Sequence, residues 1–391
     1  MKLIKDSNGK VLISGRTVYG VTESIDQNIV SANILKGIKI LDTVGTASDR
    51  ISMVKFIDYD GTVLYSCSSR ALLTFTEMPN ISVQHPGLIE EGWNWTLNDA
   101  MIFLVDNEID KDLVIGKTYT TTDGKSRFYI TISSNSTEVA AIFRQSELGG
   151  VKVDWGDGNV STKDDDTGRI DLYHTYATAG DYVVSFEVLS GTLQLGTNEI
   201  PVLRKVGWNF YPDIVKKIEL GEVSGIGNYI ARYPYLESIT IPSGITSIGT
   251  GAFCPTDAVN SKLEAVVLPK GITAVGDEAF KNCKALLHAS LPKEIVSMAG
   301  STFLGCDSLM EIALGNGSLG NTGNYTFQQC SSLSRVSLPV GFSTISTNMF
   351  YQCYSLQEIE LPWTVTSIGN EAFSDCYSLA KITIPRNVKE L

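Results

Sequence analysis

The sequence predicts a multidomain, mainly β chain: a C-terminal solenoid of short strands, preceded by a β-sandwich and a small α+β N-terminal region. Three observations carry that reading. A leucine-led pattern, L-x-x-I-x-L-P, recurs through the second half, with phenylalanines on the same beat. Residues 127–192 alternate short strand-like runs with turns, and residues 51–126 mix a hairpin with one helical stretch. The implied division is 1–50, an anchor or assembly segment; 51–126, the α+β module; 127–202, the sandwich; 203–391, the solenoid.

The repeat leucine falls at Leu236, Leu263, Leu286, Leu309, Leu333, Leu356 and Leu379, in steps of 27, 23, 23, 24, 23 and 23 residues. Phe253, Phe280, Phe303, Phe327, Phe350 and Phe373 follow it. A unit of this size cannot bury its own apolar edge, so such units stack and share one core. The alternating end of L-x-x-I-x-L makes a short strand, stopped by Pro242, Pro269, Pro292, Pro339, Pro362 and Pro385. Two units depart from the pattern. "CPTDAVNSK" after Phe253 carries a four-residue insertion, and "GNGSLGNTGN" replaces the proline of the fourth unit, whose return path must differ. Upstream, "VLRKVGW" and "VKKIELG" read as degenerate capping units.

Cys283, Cys306, Cys330, Cys353 and Cys376 each sit three residues after the repeat phenylalanine and three before the next leucine. Both neighbours point inward, so the thiols are expected to be small buried hydrophobes. Strands stacked about 4.7–4.9 Å apart, with parallel side chains, suit neither the shorter Cβ spacing nor the crossed vectors of a disulfide. No C-x₂-C pair exists for zinc, and His85, His174 and His288 are the only histidines available as a base. No Ser-His-Asp spacing or phosphate loop is present either. The expectation is a non-enzymatic chain with no cofactor and no metal site.

Over roughly residues 203–391 this repeat resembles the BspA-like, or Treponema-type, leucine-rich repeats. The resemblance implies a leucine-rich repeat solenoid that serves as a binding surface, often in adhesins. Trp155-Gly156-Asp157-Gly158 followed by His174-x-Tyr176-x₃-Gly180-x-Tyr182 resembles a polycystic-kidney-disease (PKD) domain, which implies an immunoglobulin-like sandwich. Asp157-Gly158 is a hairpin-turn pair, and His174 is read as a hydrogen-bonded histidine of that sandwich. The run Asp164-Asp165-Asp166 lacks the glycine turn and spaced glutamate of a calcium loop and is expected at a solvated hairpin tip.

In the module, "VKFIDYDGTVLYS" reads as a hairpin about Asp60-Gly61. Thr96 and Asp99 open a capping box for the helical run "TLNDAMIFLVDN", and Trp93 and Trp95 should pack it down. Asp58, Asp60 and Asp106 are read as turn residues rather than catalytic carboxylates. Nearer the N-terminus, "SANILKGIKILDTVGTA" resembles a short segment of tail- and baseplate-associated proteins from bacteriophages of Gram-positive hosts.

Net charge is −12, and it is unevenly placed: 14 Lys+Arg stand against 16 Asp+Glu from residue 203 onward, and 17 against 27 before it. No basic stripe suits nucleic acid, no apolar run is long enough for membrane insertion, and the N-terminus shows no secretory h-region. These features point first to a receptor-binding, tail-fibre-like protein of a bacteriophage or phage-tail-like particle. It would be made in the cytoplasm, carried on the virion tail, homo-oligomeric, and joined to tail or baseplate proteins through residues 1–50. The alternative is a bacterial surface adhesin of the same repeat class, with a glycan hydrolase carrying accessory repeats a distant third. In the first two the partner is a bacterial cell-surface or host molecule, protein or glycan.

Alternation also says which residues such a partner would meet. Positions two and four after each repeat leucine should face outward. The first column runs Ser238, Ala265, His288, Glu311, Arg335, Glu358, Lys381, and the second Thr240, Val267, Ser290, Ala313, Ser337, Glu360, Thr383. Charge concentrates in the last three units. With the aromatics near them in register, the candidate ligand surface is Arg335, Glu358, Glu360, Lys381, Tyr351, Tyr354, Trp363 and Tyr377. Trp363 reads equally as a cover for the solenoid's C-terminal end.

The short apolar segments of residues 1–50 cannot bury themselves in a monomer. A chain beginning at residue 51 should therefore stay folded but sediment as a smaller species; an unchanged oligomer would place the anchor elsewhere.

Overall fold

A computed structural model describes residues 52–106, 111–195, 201–206, 213–315 and 319–389, with one short N-terminal pair, β1 (Ile4–Lys5) and β2 (Val11–Ile13). The anchor expected in residues 1–50 otherwise lies outside the described residues. In the module, β3 (Met53–Ile57) and β4 (Val63–Ser68) make the expected hairpin, with Gly61 at φ +93° in its turn. β3 pairs in parallel with β6 (Leu113–Thr121), and β5 (Leu88–Trp93) pairs antiparallel with the far edge of β6. The β3-to-β6 crossover holds the helix Leu97–Asp106. Its capping box forms: the Asp99 N–H donates to Thr96 Oγ1 at 3.1 Å, and Thr96 Oγ1 donates to Asp99 Oδ2 at 2.6 Å. Ala100, Phe103 and Leu104 of this helix are buried with Val54, Phe56 and Trp95.

The next segment is one sheet that runs into the solenoid. Its strands are β7 (Ser126–Ile132), β8 (Thr137–Asp154), β9 (Val160–Tyr176), β10 (Gly180–Ser190), β11 (Leu193–Leu195) and β12 (Leu203–Lys205). β8 pairs with β9 on one edge. On its other edge it pairs with β12, β11 and then β10 as it advances. The β8–β9 turn is the predicted one, with Gly156 and Gly158 at φ +79° and +92° and Trp155 N–H donating to Asn159 O. That placement corrects the acidic run. Asp164, Asp165 and Asp166 lie inside β9, downstream of the glycine turn, rather than at a hairpin tip. His174 hydrogen-bonds Asp157 at 2.7 Å and stacks on the buried Trp155 ring at 5.0 Å.

The solenoid has two ladders of strands. The front ladder is β13 (Val215–Glu219), β15 (Ser238–Thr240), β17 (Ala265–Val267), β19 (His288–Ser290), β21 (Glu311–Ala313), β22 (Arg335–Ser337), β24 (Glu358–Glu360) and β26 (Lys381–Thr383). The back ladder is β14 (Gly225–Ile226), β16 (Ser247–Ile248), β18 (Ala274–Val275), β20 (Ser297–Met298), β23 (Thr344–Ile345) and β25 (Ser367–Ile368). The preceding sheet starts both ladders. β7 pairs antiparallel with β13, and β11 pairs in parallel with β14. "VKKIELG" is thus the first rung of the front ladder, whereas "VLRKVGW" contributes β12, which pairs with β8 outside the ladders. The back ladder is interrupted between β20 and β23, at the unit that lacks its proline, and strand pairing in the front ladder breaks between β15 and β17 and between β22 and β24.

One apolar core runs unbroken from Phe128, Phe143 and Trp155 of the sheet to Ala372 near the last turn. Along it the repeat phenylalanines stack face to face, ring centroids 5.2–5.7 Å apart and planes within 14° of parallel. The turns carrying them need unusual backbone. Glu278 and Asn282, Tyr325 and Gln329, Asn348 and Gln352, and Glu371 and Asp375 all hold φ between 53° and 63°, a region side-chain-bearing residues seldom enter. The stacking explains it: these N–H groups turn toward the following unit, as in Glu278 to Gly300 O, Phe280 to Thr302 O and Asn282 to Leu304 O.

The thiols also bridge units. Cys306, Cys330, Cys353 and Cys376 each donate to the carbonyl of the phenylalanine one unit back, all at 3.1 Å, and Cys283 does so at 3.2 Å. All are free, and burial raises their pKa values, that of Cys376 to about 11. A protonated thiol is what this geometry requires, since a thiolate could not donate. Thiol reagents should therefore label the five only after denaturation, and reductant should leave stability unchanged. Cys353→Ala should cost about 1–2 kcal/mol, for a small cavity and a carbonyl left with one donor. Rapid labelling of the native chain would overturn this.

Candidate recognition surface

The strand face of the solenoid points outward as alternation requires, yet most of it is covered. β6 lies across β15, β17, β19 and β21, and Ser238, Thr240, Ala265, Val267, His288, Ser290, Glu311, Ala313 and Ser337 are all buried. The first turns do not present small groups to a partner, as the sequence suggested; they accommodate residues 51–126. The fit depends on those small groups. A Cβ on Gly61 would come within 2.8 Å of Ala265 Cβ, and one on Gly116 within 2.4 Å of Val267. Val267 packs with Ile57 and Val114, and Ala313 belongs to the module's own core.

The part of the contact around Asn94 is polar and paired. Asn94, 1% exposed, donates to Leu268 O and Ser290 Oγ, each at 2.9 Å, and accepts the Gly116 N–H at 2.8 Å. Ser290 Oγ in turn donates to Val114 O at 2.7 Å, and Trp95 Nε1 donates to Leu291 O at 2.8 Å. Around this centre lie ion pairs of alternating sense. Lys55 meets Glu311, Asp99 meets Lys293 at 2.5 Å, Asp112 meets Arg335, and Lys111 meets Glu360 at 2.6 Å. Burial works to raise the Asp99 carboxyl, but hydrogen bonds from Lys293 and Thr96 prevail and hold it below the usual range. Glu91 adds two bonds of 2.9 Å, from the N–H and hydroxyl of Ser243. At the solenoid's first rung, Lys217 pairs with Glu219 at 2.8 Å beneath the rings of Tyr59 and Tyr129.

The predicted surface residues therefore divide. Arg335 and Glu360 are committed to Asp112 and Lys111. Glu358, Lys381 and Thr383 remain exposed on the last two strands, and Glu360 keeps an exposed carboxylate edge. The aromatics do not gather in one cluster. Tyr354 and Tyr377 stack at 5.5 Å with planes 6° apart, on the side where the chain enters β24 and β26; Tyr351 lies half-buried in the preceding turn. Trp363 follows β24, on the side where the chain leaves, and among the described residues has no ring contact. Sequence proximity placed them together, but the strand between them carries them to opposite rims. Trp363 is 56% exposed, and its carbonyl accepts from Asn387 Nδ2 at 2.8 Å. What remains uncovered is the outward side of the last two strands, with exposed Tyr354 and Tyr377 ahead of them and exposed Trp363 after β24. The module closes one end.

The family described as "BspA type Leucine rich repeat region" matches in six copies, over residues 224–318, 258–380 and 343–391. No curated protein matches the chain. Similar solved structures include a leucine rich cell surface protein from Faecalibacterium prausnitzii, 26% identical over 51% of this chain and 51% of that one, TM-score 0.39. A T. pallidum leucine-rich repeat protein is 25% identical over 48% of this chain and 86% of its own, TM-score 0.37. The pneumococcal vaccine antigen PcpA is 18% identical over 50% of this chain and 77% of its own, TM-score 0.26. The chain spans about half the length of the Faecalibacterium protein.

Because Asn94 has polar partners on every side, Asn94→Ala should destabilise the full chain by about 2–4 kcal/mol, the cost of several buried groups left unpaired. Gly116→Ala should also lower the melting temperature, and Val267→Ala in the same chain should recover part of that loss. Independent, additive effects of the two would show that β6 does not sit on Val267.

Proposed function

We propose that this chain is a non-enzymatic recognition protein of a bacterial cell surface, an adhesin of the leucine-rich repeat class. Its ligand-contacting part is the uncovered floor of the last two turns. One observation carries the reading: the only aromatic pair stacked across exposed turns among the described residues, Tyr354 with Tyr377, borders the part of the strand face that residues 51–126 leave open. Exposed aromatics beside charged side chains are the composition of binding hot spots. Glu358, Lys381 and Thr383 supply the polar floor and Trp363 a further exposed aromatic. The ligand is a protein or glycan of the surface that the carrier cell meets.

The phage setting uses the same surface differently. It rests on the resemblance of "SANILKGIKILDTVGTA" to tail-associated segments and on the PKD-like motif as a spacer. In that reading the chain is a homo-oligomeric tail fibre and its ligand a bacterial receptor. Electron microscopy with an antibody to the solenoid separates the two: label on intact cell envelopes fits the adhesin, and label on released particles fits the fibre.

Adsorption of the full chain to whole cells tests the surface itself. Tyr377→Ala and Trp363→Ala should each weaken adsorption about tenfold, as hot-spot truncations do, with melting unchanged. Adsorption equal to wild type in both variants removes the site. Lost melting with normal adsorption per folded molecule leaves these residues a purely structural part.

A further inference from the structure

His288 stands in the middle of the contact between residues 51–126 and the solenoid. It is 9% exposed, in the same outward column as Ala265 and Glu311, and its Nδ1 has no hydrogen-bond partner. From β3 the Lys55 ammonium faces it; from β21 the Glu311 carboxylate, already paired with Lys55; from the approach to β17, Glu264. The β3–β4 turn lies over it, with the Cβ direction of Gly61 aimed 3.9 Å from His288 Cδ2. In that turn the Asp60 carboxylate is engaged with the Thr62 N–H at 2.9 Å. Burial first, and Lys55 second, hold the imidazole pKa below its ordinary value; Glu311 and Glu264 oppose this and do not prevail.

We infer that docking of residues 51–126 on the strand face is acid-sensitive and that His288 is the proton acceptor that weakens it. The docked imidazole is neutral, because a proton there would place a second cation near Lys55 in a largely buried site. Once the face opens, the same ring is hydrated and takes a proton at its ordinary pKa of about 6.5. Docking is therefore complete above that value and weakens as pH falls from it toward the depressed one. The weakening is tenfold for each unit of depression and then levels off. The Asp99–Lys293 pair does not share this window, since its carboxyl is held low. Acidification would expose the small-residue strand face of the early turns and return Glu311 and Arg335 to solvent.

Hydrogen exchange of the full chain at pH 7.5 and 5.5, corrected for intrinsic exchange, reads the opening in peptides covering β6 and β19. The wild type should open at least threefold more at pH 5.5. His288→Ala should abolish the difference; it copies Ala265, which occupies the same column beneath the same module, so the variant should fold. His85→Gln, which alters the His85–Asp58 pair inside the module, should keep the response. No wild-type response, or a full one in His288→Ala, overturns the inference. An NMR titration of His288 in the wild type gives a second reading: an ordinary histidine pKa with the contact closed also overturns it.

Discussion

Everything in this chain follows from the inability of a stacked turn to satisfy itself. Each unit sends the N–H groups of its phenylalanine turn to the next unit and its cysteine thiol to the previous one. No unit is complete alone, and an end is a row of unpaired groups over an open core. The N-terminal end is resolved by continuity rather than by a lid. The sheet of residues 126–205 hydrogen-bonds into the front ladder through β7 and into the back ladder through β11. Its aromatic core is the same cluster as the solenoid's.

Much of this was legible because the repeat writes each contact many times over. The spacing of leucine, phenylalanine and proline located the turns, and the place of cysteine between two inward residues fixed its burial. Local signals were equally readable: the Asp60-Gly61 hairpin, the Thr96–Asp99 cap, and the Asp157-Gly158 turn. Residues with positive φ were not legible, because Glu278, Tyr325 and Asn348 share no chemistry that marks them. They are forced into that conformation by the neighbouring turn. The sulfur-to-carbonyl bond was likewise hidden, since composition says where a thiol lies but not where its proton points.

The covered strand face was the larger surprise, and its cause is distance along the chain. Lys55 and Glu311 are 256 residues apart, Asn94 and Ser290 196, so no window of sequence contains both halves of the contact. Two signs were nevertheless present. Outward positions of the early turns are small, Ser238, Ala265, Ser290 and Ala313, as suits a surface that something approaches closely. Gly116 also interrupts an otherwise bulky strand, which marks near contact of backbone with a neighbour. The same reasoning explains why Arg335 and Glu360 looked available: in one unit's context a charge facing outward reads as solvated, and only the whole fold supplies its partner.

Ala313 brings a further consequence, because a residue of the fourth repeat completes the interior of a module that ends at residue 126. During synthesis the module leaves the ribosome well before that repeat exists. Its sheet can form early, but the face meant for β17, β19 and β21 stays bare until nearly two hundred further residues have emerged. The chain therefore carries an exposed apolar surface for about 10 to 40 seconds at ordinary elongation rates of about 5–20 residues per second. The polar residues on that face, Asn94, Lys55 and Asp112, keep it hydrated during the delay and then find their partners when the solenoid arrives. A premature stop before β21 would leave part of that surface permanently open. Truncated chains should thus be recognised by the quality-control machinery through their beginning rather than their missing end.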